Sequence, residues 1–304
     1  MRLRGAFTLV ELLVALAVTG IAAAIIIRTL VAQQRFYSSV SSVLDARAQI
    51  RDAADILATD IRNASAHSPP FVLTLDSALE VYSTIATSIV CTVPSPQVVG
   101  LPPAVVSSGV PLTSMLAQPD TGDVALVYSY PPGRPDSGQW ESIRVSAFMP
   151  RAATTACPAA SGFTSTPGDE GATAYETGLE TTSSHALAAG NPIRFIRRGR
   201  YSLYRSSDNR WYLGYRRCNA TGCAGIQPIS GPYDPYSPSA SGLEFRYFDS
   251  NGLRISGTST GTLVSRVDIV IRGKSSRRST LAGDARSTYA DSSVISVSPR
   301  NRMR

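Results

Sequence analysis

The sequence predicts an α+β protein in which one long N-terminal α-helix packs on an antiparallel β-sheet domain with long loops. Neither proline nor glycine occurs between Ile21 and Ser68, so nothing in this stretch interrupts a helix. After Pro70 the apolar residues alternate with polar ones, which is the period of strands. The chain has 304 residues, 43% of them hydrophobic, which suits one large or two small domains and excludes a wholly disordered protein.

Residues 7–27 form an apolar stretch that is long enough to cross a membrane as a helix. At 1.5 Å per residue this helix is about 31 Å long, close to the thickness of the hydrocarbon core. Arg2 and Arg4 precede it and Arg28 follows it. Because short basic segments stay in the cytoplasm, the chain after Arg28 is predicted to be exported. The sequence has no second run of this kind, which excludes a protein with several membrane spans.

One acidic residue, Glu11, lies inside the apolar stretch. A carboxylate within hydrocarbon is costly, and it marks a functional site by default because it needs a cation or a proton as its partner. The alternative is that Glu11 lies close enough to the lipid headgroups to stay hydrated.

The residues around Glu11 resemble a known processing signal. The string Gly-Ala-Phe-Thr-Leu-Val-Glu at 5–11, followed by the apolar helix, resembles the class III signal of type IV pilins and type II secretion pseudopilins. The resemblance implies that a prepilin peptidase cuts between Ala6 and Phe7 and methylates the new N-terminus at Phe7. It also implies that the N-terminal amine of a neighbouring subunit neutralises Glu11 during assembly. Ala6 departs from the family, which usually has glycine before the cut.

Two alternatives remain for the N-terminal segment. An ordinary secretory signal peptide would be cut after Ala22-Ala23-Ala24, which resembles a signal peptidase site. Three isoleucines follow this site and Glu11 interrupts the preceding apolar run, and both features argue against it. An uncleaved signal anchor is the other alternative.

The sequence divides into four predicted parts: a leader at 1–6, a membrane-spanning assembly helix at 7–28, a continuing amphipathic helix at 29–66 and a β-rich exported domain at 67–304. The amphipathic helix carries an apolar stripe with steps of three and four residues. Its members are Phe36, Val40, Val43, Ile50, Ala54, Leu57, Ile61 and Ala64. We expect the C-terminal half of this stripe to pack on the sheet. A coiled coil is the alternative, because the steps average about 3.5 residues.

Eleven short segments of the exported domain are predicted to be strands, with one hairpin between the seventh and the eighth. They are Phe71–Leu75, Leu79–Ser83, Ser88–Val93, Asp123–Tyr130, Ser142–Phe148, Ile193–Arg197, Tyr201–Arg205, Trp211–Arg216, Gly242–Asp249, Leu263–Arg272 and Val294–Ser298. Pro94–Gly122 and Pro150–Asn191 are rich in small and polar residues and are predicted to be long loops. Segments 242–252, 263–273 and 293–302 resemble the C-terminal strands of larger minor pilins and pseudopilins of the PilW-like or GspJ-like kind.

The exported domain contains four cysteines, which indicates an oxidising compartment and allows three disulfide pairings. Cys218 and Cys223 are close enough in sequence to close a local loop. This favours the bond Cys218–Cys223, together with Cys91–Cys157. A zinc site is a poor alternative, because the other two cysteines are widely spaced and no histidine is near the C-x₄-C pair.

The sequence gives little support for catalysis. It contains no G-x-S-x-G, H-E-x-x-H or P-loop motif. The two histidines, His67 and His185, lie in predicted loops, and the adjacent Asp169 and Glu170 are expected to be solvated rather than to form an acid/base pair. We therefore predict a protein that is not an enzyme and needs neither a cofactor nor a metal. A secreted or membrane-anchored binding protein or enzyme with an ordinary signal is the alternative.

The charge of the chain is unevenly distributed along its length. The net charge is +7, but residues 1–193 have 10 basic and 15 acidic side chains, whereas residues 194–304 have 19 and 7. Five arginines interleave with aromatic residues at the start of the basic part: Arg194, Arg197, Arg198, Arg200 and Arg205. This composition suits contact with phosphates and bases, so a DNA-binding face at a pilus tip is one hypothesis. The alternative is outward-facing strand residues that keep a sheet edge soluble or pair with an acidic neighbouring subunit.

Together these features predict a minor pilin or pseudopilin, a structural subunit of a type IV pilus or type II secretion pseudopilus. The resemblance implies other pilins or pseudopilins, the prepilin peptidase and an inner-membrane assembly platform as partners. Before assembly the chain is expected to cross the inner membrane once, with its N-terminus in the cytoplasm. A pilus-tip subunit that binds DNA or a surface is an alternative role. The residues leave open whether the machine is a pilus, a competence system or a secretion system.

Overall fold

The computed structural model describes residues 8–65, 69–131, 133–134, 137–255, 261, 263–279 and 287–300. The described helices are α1 (Leu9–Arg62), α2 (Ala153–Ala156) and a short 3-10 helix at Ala159–Ser161. The strands are β1 (Phe71–Leu75), β2 (Ala78–Ile89), β3 (Thr92–Ser95), β4 (Val98–Leu101), β5 (Ser114–Met115), β6 (Val124–Ser129), β7 (Gln139–Ala152), β8 (Thr173–Leu179), β9 (Pro192–Arg205), β10 (Trp211–Asn219), β11 (Gly222–Cys223), β12 (Gln227–Tyr233), β13 (Leu243–Phe248), β14 (Arg254–Ile255), β15 (Arg266–Ser279) and β16 (Ser287–Val297). The α+β prediction of a long helix followed by an antiparallel sheet domain is confirmed.

Two compact units share these elements. One combines the described residues of Met1–Gln49 and Gly273–Asp291, and the other those of Ile50–Arg272 and Ser292–Arg304. In the first unit Arg47 donates hydrogen bonds from Nε (3.1 Å) and Nη2 (2.7 Å) to the hydroxyl of Tyr289. The second unit contains most of the strands and the end of α1.

Helix α1 is continuous over 54 residues, as the lack of proline and glycine after Ile21 predicts. It ends at Arg62, four residues earlier than the predicted boundary at 66. The reason is that the next residues join the sheet: Ala64 bridges Ser83, and the Thr84 N–H donates to the Asn63 carbonyl at 2.8 Å. Main-chain bonding to a sheet edge replaces the last helical turn.

Strand β9 is the centre of the sheet. Strand β2 pairs along one of its edges, from Ala78 opposite Ser202 to Ile89 opposite Pro192. The other edge is shared by β6, which pairs with the first half of β9, and β10, which pairs with the second half. The predicted hairpin is therefore present as β9 and β10. Asn209 in its turn has a φ of 63°, a left-handed conformation that asparagine tolerates.

Several predicted strand boundaries are wrong. The predicted strands Ile193–Arg197 and Tyr201–Arg205 are parts of the single strand β9, because Arg198 to Arg200 continue the pairing with both neighbours. The predicted loops also contain regular structure: Pro94–Gly122 includes β4 and β5, and Pro150–Asn191 includes α2 and β8. Small residues are common in loops, so the composition of these segments predicted loops. In the structure the same small residues allow the elements to pack closely. At Gly100 an added Cβ would lie 1.9 Å from the Ala156 carbonyl oxygen.

The main hydrophobic core lies between the end of α1 and the sheet. Ile50, Leu57 and Ile61 are buried there with Tyr201, in one cluster with side chains of β1, β2, β10, β13 and β15. The predicted packing of the C-terminal half of the stripe on the sheet is therefore confirmed. Phe36, at the start of the predicted stripe, is 55% exposed and does not belong to this core.

A second core lies under the other half of the sheet, where Val127, Val145, Ile193 and Phe195 are buried together. Strand β9 contributes to both cores, since Ile193 and Phe195 belong to the second and Tyr201 to the first. A third, smaller cluster surrounds Cys91 and Cys157.

A side-chain hydrogen bond connects helix α1 to strand β9. The hydroxyl of Tyr201 donates a hydrogen bond to the Asp60 carboxylate near the end of α1. Burial raises the pKa of Asp60 above its usual value, although the Tyr201 hydrogen bond and the positive charge of Arg197 oppose this shift. The ionised form of the Asp60 carboxylate is therefore less stable in this position than in water.

We expect Leu57→Ala to lower the free energy of unfolding by about 2–5 kcal/mol, because it leaves a cavity in the main core. Its neighbour Ile56 is 40% exposed and provides the matched control, since Leu57 is fully buried. Ile56→Ala should change stability by less than about 1 kcal/mol. Urea unfolding of the full chain in a neutral detergent measures both. Equal losses would contradict the assignment of the buried helix face.

We expect the stability difference between the wild type and Asp60→Asn to depend on pH. The folded-state pKa of Asp60 is raised, so its contribution is fully present below the unfolded pKa and is lost as the pH rises through the folded pKa. The wild type should therefore gain stability relative to the variant between pH 7 and pH about 4. Urea unfolding across this range gives the difference. A constant difference would show that Asp60 titrates normally.

Candidate assembly site on the N-terminal helix

The first part of α1 leaves its apolar side chains exposed. The most apolar window of 18 residues in α1 has a mean hydropathy of 2.6, and none of it is buried. By length and composition, this helix is sufficient to cross a membrane. Leu9 is 77% exposed, Leu16 61% and Ile25 59%. An apolar surface of this extent requires lipid or another protein around it.

Two threonine hydroxyls in this segment are satisfied by the helix itself. Thr19 donates to the carbonyl of Ala15 at 2.7 Å, and Thr29 donates to the carbonyl of Ile26 at 2.8 Å. In hydrocarbon every polar group needs a partner within the protein, and these contacts provide it. Among the described residues up to Ile27, this leaves Glu11 as the one ionisable side chain.

Glu11 closes the N-terminus of α1 through a reciprocal capping box with Thr8. The Glu11 Oε2 atom accepts hydrogen bonds from the Thr8 N–H at 3.0 Å and from the Thr8 hydroxyl at 3.1 Å. In return the Glu11 N–H donates to Thr8 Oγ1 at 3.3 Å. Sequence analysis missed the role of Thr8, although Thr-x-x-Glu before an apolar run is the signature of this cap. The carboxylate thus has local donors but no positive partner within 8–65.

These features agree with the comparison to known families. The model of the prokaryotic N-terminal methylation motif matches residues 1–27. This motif marks the chain as a type IV pilin-like prepilin. No curated protein and no solved structure is significantly similar to it. The motif and the exposed helix of this prepilin support a single-pass membrane anchor, and they favour a structural subunit over an enzyme. Ala6 and Phe7, at the predicted cleavage site, and His67 lie outside the described residues.

The prepilin has two disulfides, Cys91–Cys157 and Cys218–Cys223, with Cα–Cα distances of 5.5 and 4.0 Å. The first lies in the small third core, and the second joins β10 to β11. This is the pairing that the loop lengths favour. Because all four sulfur atoms are in disulfides, none is available as a thiolate ligand for zinc.

The five arginines of β9 do not form one basic face, which is contrary to the DNA-binding hypothesis for these residues. Alternation along the strand puts Arg194, Arg198 and Arg200 on one side, and Arg197 and Arg205 on the other. Four of the five arginines also contact other side chains of the fold. The fifth, Arg205, is exposed at the end of the strand. A face formed jointly by these five residues is therefore not available to DNA.

Two buried carboxylates hold three of these arginines. Glu80, which is fully buried, accepts hydrogen bonds from Nε of Arg198 and of Arg200. Asp123, 3% exposed, accepts a bond of 2.7 Å from Nη2 of Arg197. Glu80 lies directly opposite Arg200 in the β2–β9 register, so strand pairing itself places the ion pair. The fourth arginine, Arg194, lies over the ring of Trp140, with 4.8 Å between the guanidinium carbon and the ring centroid.

The remaining candidate residues have structural contacts. Asp169 is buried rather than solvated: its carboxylate accepts main-chain hydrogen bonds from Ser165 (2.7 Å) and Ser107 (2.6 Å), and these lower its pKa. His185 Nδ1 lies 3.1 Å from the Ser184 hydroxyl, which also contacts Glu141 at 2.6 Å. Here the serine lies between the imidazole and the carboxylate. In a catalytic triad the imidazole lies between the serine and the carboxylate, so this arrangement does not activate a serine nucleophile.

We expect Glu80→Ala to lower the free energy of unfolding by about 3 kcal/mol, because it leaves two guanidinium groups without their shared carboxylate. Glu180 offers a matched control: it pairs with Arg144 at 2.6 Å but its side chain is 38% exposed. Glu180→Ala should cost less than about 1 kcal/mol. Urea unfolding of both variants tests the comparison. A loss at Glu80 no greater than that at Glu180 would refute the structural role of the buried pair.

Proposed function

We propose that this prepilin is a minor pilin or pseudopilin, a structural subunit that assembles through its N-terminal helix into a type IV pilus or a type II secretion pseudopilus. The main support for the proposal is the exposed apolar half of α1. This half begins at the capping box formed by Thr8 and Glu11, and it lies within the matched methylation motif. The same helix continues into the core of a sheet domain, so one element serves both as anchor and as scaffold.

Processing follows from the motif. The prepilin peptidase cuts between Ala6 and Phe7 and methylates Phe7, which removes Arg2 and Arg4 from the mature subunit. Before this step the basic N-terminus stays in the cytoplasm and the domain after Arg28 is outside it. The mature chain then consists of the assembly helix 7–28, the amphipathic helix that ends at Arg62, and the exported sheet domain.

The assembly step uses the charge of Glu11. While the subunit is in the membrane, Thr8 supplies the only donors that the described structure provides for this carboxylate. A carboxylate in hydrocarbon is stabilised further by a cation, and the N-terminal amine of a neighbouring mature subunit is one. Pairing of Glu11 with that amine favours the assembled state over the dispersed one. It also fixes the axial register between subunits, because both charges are at the ends of their helices.

The exported domain favours a low-abundance or tip-proximal position. Among the described residues, its sheet includes the segment from β4 to β8, which enlarges the domain. A domain of this bulk would crowd a dense helical array of identical subunits. Other pilins, the prepilin peptidase and the inner-membrane assembly platform are the partners of this function.

The test separates the charge of Glu11 from its capping role. Glu11→Gln keeps an acceptor for the Thr8 N–H but loses the charge, whereas Thr8→Val keeps the charge and loses the side-chain cap. We expect Glu11→Gln and Glu11→Val to be processed and membrane-inserted but absent from sheared fibres. Thr8→Val costs about 1 kcal/mol of helix stability and should still assemble.

Intact mass of membrane-extracted protein provides the control for processing. Each variant should begin at Phe7 and be one methyl group heavier than the unmodified mature chain. Assembly of Glu11→Gln at the wild-type level would show that the charge is not used. A mature chain that begins after Ala24 would overturn the prepilin function in favour of a secreted protein.

A further inference from the structure

A cleft of about 320 Å³ lies in the second unit, between the end of α1 and strand β5. Its polar lining consists of Arg62, Asn63, Thr84, Thr87, Ser114 and Arg300. Neither the helix anchor nor the disulfides contribute to it, and the proposed assembly function does not use it.

The cleft is built by the main chain. Residues after α1 cover one part of the β2 edge, where Ala64 bridges Ser83, and β5 covers another, where Ser114 pairs with Thr87. Between them β2 has a bulge at Ile85, which shifts the strand register. The Arg300 N–H donates to the carbonyl of Arg62 at 3.1 Å, and this bond brings an arginine of α1 and one near the C-terminus to the same opening.

These two arginines differ from seven other arginines around the sheet. Arg197, Arg198, Arg200, Arg217, Arg246, Arg254 and Arg272 all form ion pairs with carboxylates. Within the described part of the chain, neither Arg62 nor Arg300 has an ion pair or a side-chain hydrogen bond. The same holds for the side chains of Asn63, Thr84, Thr87 and Ser114, again with respect to described residues.

The cleft therefore combines two guanidinium groups, three hydroxyl groups and one amide, none of which is used by the fold. Convergent polar groups in a concave site are the usual basis for ligand recognition. A guanidinium donates two parallel N–H bonds to an oxyanion, and two of them on one opening require a negative ligand. Leu116, which is 72% exposed, gives the opening an apolar margin.

We propose that this cleft binds a carboxylate carried on a peptide framework. Arg62 and Arg300 bind the two oxygens, and the hydroxyl groups and Asn63 hold the adjoining amide. The apolar margin at Leu116 favours a carboxylate attached to carbon over inorganic phosphate, which is polar on every side. The C-terminal end of another protein chain has this chemistry.

The test uses the full chain in a maltoside detergent and N-acetyl-L-alanine as the probe. We expect saturable binding in isothermal titration at fixed ionic strength, and no binding of the uncharged N-acetyl-L-alaninamide. Arg62→Ala and Arg300→Ala should each weaken binding about tenfold or more, because each removes a charge-assisted contact. Arg205→Ala, at an exposed arginine elsewhere on the sheet, should leave the affinity unchanged.

The variants are expected to fold, since the bond between Arg300 and Arg62 is made by main-chain atoms and survives both substitutions. Unfolding midpoints check this, and Arg62→Lys and Arg300→Lys, which keep the charge but lose the bidentate geometry, should bind with intermediate affinity. Absence of saturable binding by the wild type would overturn the proposal. So would equal affinities of the wild type and the two alanine variants. Tighter binding of inorganic phosphate than of the probe would overturn the assignment to carboxylates.

Discussion

The structure depends on the burial of one helical stripe against the sheet. Ile50, Leu57 and Ile61 lie in the main core, and Asp60 is hydrogen-bonded to Tyr201 of the central strand. In the first half of α1, none of the most apolar window is buried. The apolar side chains of the first half therefore stay available for lipid and for other subunits.

Part of the uneven charge of the sequence is compensated within the fold. Residues 194–304 are strongly basic, but Arg197, Arg198 and Arg200 pair with Asp123 and Glu80, which belong to the acidic N-terminal part. Strand β9 crosses between β2 on one edge and β6 and β10 on the other, so its arginines meet carboxylates from both directions. The proposed binding cleft instead uses two arginines that have no ion pair among the described residues, Arg62 and Arg300.

Local signals predicted the elements whose determinants are close together in sequence. The helix, the β9–β10 hairpin and the proximity of Cys218 to Cys223 are of this kind. The capping box of Thr8 and Glu11 was equally readable, since its residues are three apart. Predictions from composition were less accurate: the segment with β8 reads as a loop because its small residues have no apolar period. Its pairing with β7 is set by residues far away in the chain.

The prepilin signal, the continuous helix and the position of Glu11 within it are readable from the sequence, because each depends on neighbouring residues and on the period of a helix. Which arginines are neutralised, where the helix ends, and that Arg62 and Arg300 line one cleft follow only from the tertiary structure. The physical reason is that strand register and main-chain contacts between distant segments place charges opposite one another. No local pattern in the chain encodes those distances.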